Sequence, residues 1–170
     1  MLFKTYNWAI VFACLFLLSC GYKFSGGGNL PSGIRSVCIT ILENRTAETG
    51  VENIITNDLI YEFTRAGNVV LTDKDKADAI LAGIVKSVRS DTISHRGTHT
   101  SLERRVKVVV NLKLTGQDGR AIWSVKDISE NEDYVVMPEK SATERNKRDA
   151  ISELSKRLAE NIYNRLTDAF

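Results

Sequence analysis

Two long strand-like stretches meeting at Asp118-Gly119 constrain this chain more than any other feature. Arg104 to Thr115 and Ala121 to about Val136 flank that dipeptide, and Asp-Gly between two such runs is a strong hairpin signal. With Asp118-Gly119 as a two-residue loop, Leu114 faces Trp123 and Leu112 faces Val125 on the buried side. The opposite face then brings Lys107 against Glu130 and Arg105 against Glu132, opposite charges that support this register. A slip of one residue would turn every side chain to the other face.

The rest of the chain supplies partners for that hairpin. Ser36 to Ile41 alternates in polarity with β-branched residues, as a half-buried strand does, and Glu43 to Thr46 follows as a loop. Asn44-Arg45-Thr46 matches a glycosylation sequon, read here as a chance match. Thr49-x-x-Glu52 reads as a capping box, and Val51, Ile54, Ile55, Leu59 and Phe63 recur at helical spacing until Gly67. Val69-Val70-Leu71 is a short second strand, expected parallel to the first through a right-handed crossover.

Thr72 to Asp78 alternates acid and base. Asp73, Asp75 and Asp78 invite a calcium reading, but Lys74 and Lys76 lie between them and no bidentate Glu follows, so a solvated turn is preferred. Ala79 to Arg89 is a third strand in which Gly83 is a candidate bulge. Asp91 to Ser101 is polar and carries His95 and His99. Gly97 and the nearby Ser and Thr residues argue against the helix that would stack both on a metal. Cys38 reads as a small buried hydrophobe rather than a nucleophile.

A second capping box, Ser141-x-x-Glu144, opens a last helix with Ile151, Leu154, Leu158, Ile162 and Leu166 as its apolar stripe. Met137-Pro138 connects it to the hairpin. The order strand, helix, strand, three-strand meander, helix predicts an α/β (α+β) two-layer sandwich, with two amphipathic helices on one face of a four- to five-stranded mixed sheet. No helix is left for the other face, which must be polar or meet something else.

The first residues fix where this domain works. Met1 to Ser19 holds one charge, Lys4, and an apolar run from Trp8 to Leu18, which is short for a membrane span of about 20 residues. The run ends at Leu17-Leu18-Ser19-Cys20-Gly21, which resembles a bacterial lipoprotein signal, with Cys20 acylated as the first mature residue. Its N-acyl and S-diacylglycerol chains would anchor a soluble domain firmly. By resemblance to the usual lipoprotein sorting pattern, Gly21 rather than Asp after Cys20 favours the outer membrane. The chain thus divides into a signal peptide (1–19), an acylated cysteine with a Gly-rich tether (20–34) and one domain (35–170). The 170-residue chain less its first 19 leaves 151, enough for a single core. Without Lys4 it keeps 22 basic and 21 acidic side chains, too even a balance for bulk nucleic-acid binding.

No catalytic motif appears: neither Gly-x-Ser-x-Gly nor a phosphate-cradling loop is present, and no cofactor is implied beyond the lipid on Cys20. What remains is surface charge. Arg104, Arg105, Lys107 and Lys113 lie on one strand, with Lys86, Arg89 and Arg96 on or after its expected neighbour. Such a face suits phosphate groups through charge-assisted hydrogen bonds. The alternative is a solvated face neutralised by Glu130 and Glu132.

Cys20-Gly21-Tyr22-Lys23-Phe24, Leu30-Pro31-x-Gly33-Ile34, Glu43-Asn44-Arg45-Thr46 and Thr56-Asn57-x-Leu59-Ile60-Tyr61-Glu62-Phe63 follow one another in this order. With Ala77-Asp78-Ala79-Ile80-Leu81 and the Trp123 hairpin, they resemble the LPS-assembly lipoprotein family, LptE. The resemblance implies two helices on one face of a small sheet. It also implies a lipoprotein seated in the lumen of an LptD-type outer-membrane β-barrel, where it plugs the barrel, helps it fold and assists delivery of lipopolysaccharide to the outer leaflet. A polar uncovered sheet face fits such a lumen. A lipid-handling lipoprotein acting without a barrel is the alternative, and would need an apolar pocket between sheet and helices.

Overall fold

The computed structural model of the chain describes Leu30, residues 33–95 and residues 102–169. The leader, Cys20, most of the tether, Arg96 and His99 lie outside the described residues, so the expectations placed on them rest on sequence. Leu30, assigned to the tether, is 8% exposed and belongs to the core.

Six strands and two helices follow one another in the expected order, with β2 added: β1 (Ser36–Ile39), β2 (Glu43–Asn44), α1 (Val51–Ala66), β3 (Val70–Leu71), β4 (Ala79–His95), β5 (Leu102–Gly116), β6 (Ala121–Val136) and α2 (Lys140–Thr167). They form one mixed sheet in the order β3-β1-β4-β5-β6, with β2 also paired to β4. β1 runs parallel to both β3 and β4, whereas β4, β5 and β6 form an antiparallel meander. Both helices cover the same face. The fold is the two-layer α+β sandwich, with six strands in place of four or five because Glu43–Asn44 pairs with Ile84–Val85 instead of forming a loop.

Alternation along β5 creates the core. Val106, Val108, Val110, Leu112 and Leu114 point to the helices and are at most 3% exposed. Against them pack Ile55, Leu59 and Phe63 of α1, and Ile151, Leu154, Leu158, Ile162 and Leu166 of α2. Each such burial contributes about 1.5–3 kcal/mol. Phe63 and Tyr163 meet edge to face with ring centroids 5.1 Å apart, which joins the helices to each other as well as to the sheet.

The helix starts differ from the capping boxes read in the sequence. Gly50, at φ 89°, is the N-cap of α1, and the Glu52 carboxylate accepts from its N–H (3.1 Å). The N-cap is thus a glycine with no side chain, and no side-chain cap bond is made, so Thr49 is not the cap expected of it. At α2 the N-cap is Glu139 rather than Ser141. Thr143 Oγ1 there accepts from the Met137 N–H (2.8 Å) and donates to the Met137 carbonyl (3.0 Å), fastening the connector.

Three further expectations change in the meander. β4 continues through the polar stretch to His95, because the ladder with β5 is main-chain bonding and does not require apolar residues. Gly83 is regularly paired with Leu112, and the irregularities fall at Lys86 and Ile93. An added Cβ at Gly83 would lie 2.7 Å from the Asn111 carbonyl oxygen, so close strand approach explains this glycine. The hairpin loop has three residues rather than two. Gly116 N–H donates to Arg120 O (3.0 Å), and Gly119, at φ 79°, supplies the left-handed position of a type I turn with a bulge.

Candidate functional site

Past Leu112 the hairpin shifts by one residue. Leu114 faces Trp123 and Leu112 faces Val125 as expected, but Val110 faces Ile128, Lys107 faces Asn131 and Arg105 faces Asp133. The extra residue lies at Lys126-Asp127. Asp127 has φ 55°, and its N–H donates to the Asn111 side-chain oxygen at 2.7 Å. Asp is one of the few residues that tolerate this left-handed backbone. Lys86 Nζ reaches the Asp127 carboxylate at 2.6 Å from the bulge in β4. Two bulges therefore face each other across the sheet through one ion pair.

The shift moves Glu130 and Glu132 to the helix side, which overturns their expected pairing with Lys107 and Arg105. Glu130 accepts from Asn161 (3.0 Å), and Glu132 from Arg157 (2.5 Å). Arg157 also donates to the Asn131 carbonyl, and Asn146 to the Val135 carbonyl, each at 2.8 Å. α2 thus occupies acceptors on the outer edge of β6, a protection exposed edge strands need.

With both glutamates gone, the open face is more basic than its sequence suggests. Arg105, Lys107 and Lys113 share it by alternation, with Arg89 in register beside Lys107. Arg105 forms a two-pronged bond to Asp133 at 2.7 and 2.9 Å. Hydrogen bonding to the guanidinium holds the Asp133 carboxyl below the usual carboxylate range and raises the Arg105 pKa. Lys107, Arg89 and Lys113 make no ion pair among the described residues. Lys113 lies six residues from Lys107, about 20 Å along the strand, so the two act separately. Arg104 has the other parity: it lies in register with Tyr134 on the helix side and does not join this group. Alternation alone was enough to separate it.

Other polar groups hold the scaffold rather than a ligand. Asn44 donates to the Glu48 carbonyl (2.8 Å) and Glu52 carboxylate (2.7 Å), and accepts from the Thr46 N–H (2.9 Å) and hydroxyl (2.8 Å). The Glu43–Thr46 stretch is thereby a structural knot at the start of α1. A neighbouring ion pair, Glu48 with Lys147, ties this loop to α2. Asp78 accepts from the Arg35 N–H, Ser36 N–H and Ser36 hydroxyl at 2.8–2.9 Å, which depresses its pKa and pins β1 to the β3–β4 turn. Cys38 is half-buried and free.

The cleft between α1 and α2, 360 Å³, is lined by charged residues including Asp58, Glu62, Arg65 and Lys156. The space between helices and sheet is filled by Phe63, Leu81, Leu114 and Leu154, all below 2% exposure. No group of three or more His, Cys, Asp or Glu side chains suited to a metal occurs among the described residues.

The fold is shared with several bacterial lipoproteins. The structure of a minor lipoprotein from Acinetobacter baumannii is 15% identical, covers 82% of this chain and 95% of its own, and superposes with a TM-score of 0.55. Lipoprotein B from Nitrosomonas europaea is 16% identical over 86% of this chain and 90% of its own, with a TM-score of 0.55. Rare lipoprotein B from Shewanella oneidensis is 19% identical over 78% of this chain and 95% of its own, with a TM-score of 0.51. Comparison with curated protein sequences returns no match. The family model described as "LptE: Lipopolysaccharide-assembly" matches residues 34–166, the whole sandwich from two residues before β1 almost to the end of α2. The chain belongs to the LptE family of lipopolysaccharide-assembly proteins.

Proposed function

We propose that this protein is a non-catalytic lipoprotein, anchored through acylated Cys20 in the outer membrane. It faces the periplasm and seats inside an LptD-type β-barrel. There it plugs the lumen, helps the barrel fold and assists lipopolysaccharide delivery to the outer leaflet. The observation that carries this reading is the LptE family match across 34–166 on a sandwich whose second sheet face carries no described helix and is, along β5 and β6, mostly polar and mixed in charge. A barrel lumen offers a polar wall to such a face. No described helix is long and apolar enough to cross a membrane. Attachment through a lipid on Cys20 is part of this proposal and rests on the sequence.

Arg105, Lys107 and Lys113 are the candidates on this chain for the phosphate groups of the lipid. Lys107 and Lys113 are the better placed, because Arg105 is already engaged by Asp133.

Depletion of the protein in its native cell tests the reading. The abundance of folded barrel and of surface lipopolysaccharide should fall together, and be restored by the wild-type chain but not by Cys20→Ser. Unchanged barrel abundance and surface lipopolysaccharide after depletion would overturn it.

A further inference from the structure

Among the described residues the sheet has one long edge that no element covers. β4 is paired on its outer side only as far as Val85: β1 reaches Ala79 to Leu81, β2 reaches Ile84 and Val85, and Arg45 N–H takes the Val85 carbonyl. Beyond that point β4 is bonded to β5 alone. Leu81 and Val85 point their carbonyls outward, to Thr40 and Arg45. The bulge at Lys86 shifts this parity, so Val88, Ser90 and Thr92 hold the outward N–H and C=O groups. Residues 87–92 form a regular ladder between the Lys86 and Ile93 bulges, and Arg89 to Thr92 are exposed. β6, the other long edge, has two of its carbonyls, those of Asn131 and Val135, taken by α2. This one does not.

The side chains at this edge complement themselves. Arg89 and Asp91 share the open face and neither makes an ion pair among the described residues. Arg89 has Lys107, a like charge, as its cross-strand neighbour, and Asp91 has Arg105, which Asp133 already occupies. A second copy running antiparallel along the edge supplies the missing partners. With Ser90 opposite Ser90 of the second copy, the outward groups of Val88, Ser90 and Thr92 meet their counterparts and exchange about six main-chain hydrogen bonds. In that register each Arg89 faces an Asp91 of the other copy. Centring the pair on residue 89 or 91 instead would oppose like charges and direct the wrong main-chain groups across the gap.

We infer that residues 87–92 of β4 form a self-complementary edge through which two copies of this chain pair antiparallel, centred on Ser90. This goes beyond the barrel reading and does not depend on it. It gives the lipoprotein a way of covering its open edge while no barrel encloses it.

Cysteine cross-linking of the full-length chain in native membranes tests the register. Opposed residues in a hydrogen-bonded antiparallel pair have Cα atoms about 5.5 Å apart, within disulfide range. On a Cys38→Ser background, Ser90→Cys should give a disulfide-linked dimer, while Lys113→Cys on the same sheet should not. Adding Arg89→Glu or Asp91→Arg should each lower the Ser90→Cys yield at least tenfold, and the two together should restore it. Equal cross-linking at residues 90 and 113, failure of the double exchange to restore the dimer, or cross-linking of residue 90 to a different protein would overturn the inference. The barrel association, read on the same membranes by co-purification, is a separate result.

Discussion

The backbone N–H of Asp127 donates to the side-chain oxygen of Asn111 at 2.7 Å, and at that bond β6 changes which side chains it gives to the core. Before it, Trp123 and Val125 pack toward the helices; after it, Ile128 and Tyr134 do, with Glu130 and Glu132 beside them. The sheet remains continuous because a single left-handed residue absorbs the shift.

Deleting Asp127 is expected to be far worse than mutating it. The deletion restores uninterrupted alternation and turns Ile128 and Tyr134 out of the core, a loss of about 2–5 kcal/mol for each large side chain. Asp127→Gly keeps the backbone geometry and should stay within about 1 kcal/mol of wild type. Urea unfolding followed by circular dichroism separates the two.

Gly83→Ala is expected to destabilise the protein by about 1–3 kcal/mol, because the new methyl meets the Asn111 main-chain oxygen and the strands must separate. The same urea titration measures it. A variant as stable as wild type would show that the strands part freely there.

Tyr163 links pH to packing. Burial raises its phenol pKa above the ordinary 10, although the hydrogen bond from Asn68 (3.0 Å) opposes the shift. A raised folded-state pKa means that the contribution is complete below pH 10 and is lost as pH rises through the folded value. Tyr163→Phe should therefore flatten the alkaline loss of stability above pH 10. Phe63→Ala, which removes the ring it packs against, should cost about 3–5 kcal/mol at neutral pH.

Asp78 works at the acid end. Its pKa is depressed below the ordinary 3.8 by the bonds from Arg35 and Ser36. That stability is present above pH 3.8 and is lost as pH falls through the lower folded value. Asp78→Asn should lack this component, so its stability falls less steeply than wild type below pH 3.8 in thermal melts.

Lys107→Glu and Lys113→Glu are expected to weaken binding of purified lipopolysaccharide about tenfold when combined, since each replaces a donor with a repelling charge. Arg104→Glu, on the helix side, should leave binding within about twofold. Isothermal titration reads both. Equal losses from all three would show that net charge, not the face, governs binding.

The helices and the sandwich were legible because apolar stripes at helical spacing and β5 alternation are local patterns, and burial follows them closely. The half of the hairpin next to the loop was legible for the same reason. The other half was not, because the bulge depends on the Asn111 amide meeting a main-chain N–H 16 residues away, which alternation does not encode. Glu130 and Glu132 were assigned to the wrong face by that one residue. β2 is two residues long and leaves no periodicity to read. The helix caps were misjudged because Gly50 reaches a left-handed conformation that a Thr-x-x-Glu pattern conceals. Among the candidate basic residues, Arg105, Lys107 and Lys113 follow from β5 parity, and the same parity excludes Arg104 from their face.

The most direct test of the central claim is a mild-detergent pull-down of the lipidated protein from native membranes, with partners and stoichiometry read by mass spectrometry. The account predicts one large β-barrel at near one-to-one ratio. Recovery of the lipoprotein with no barrel would contradict it.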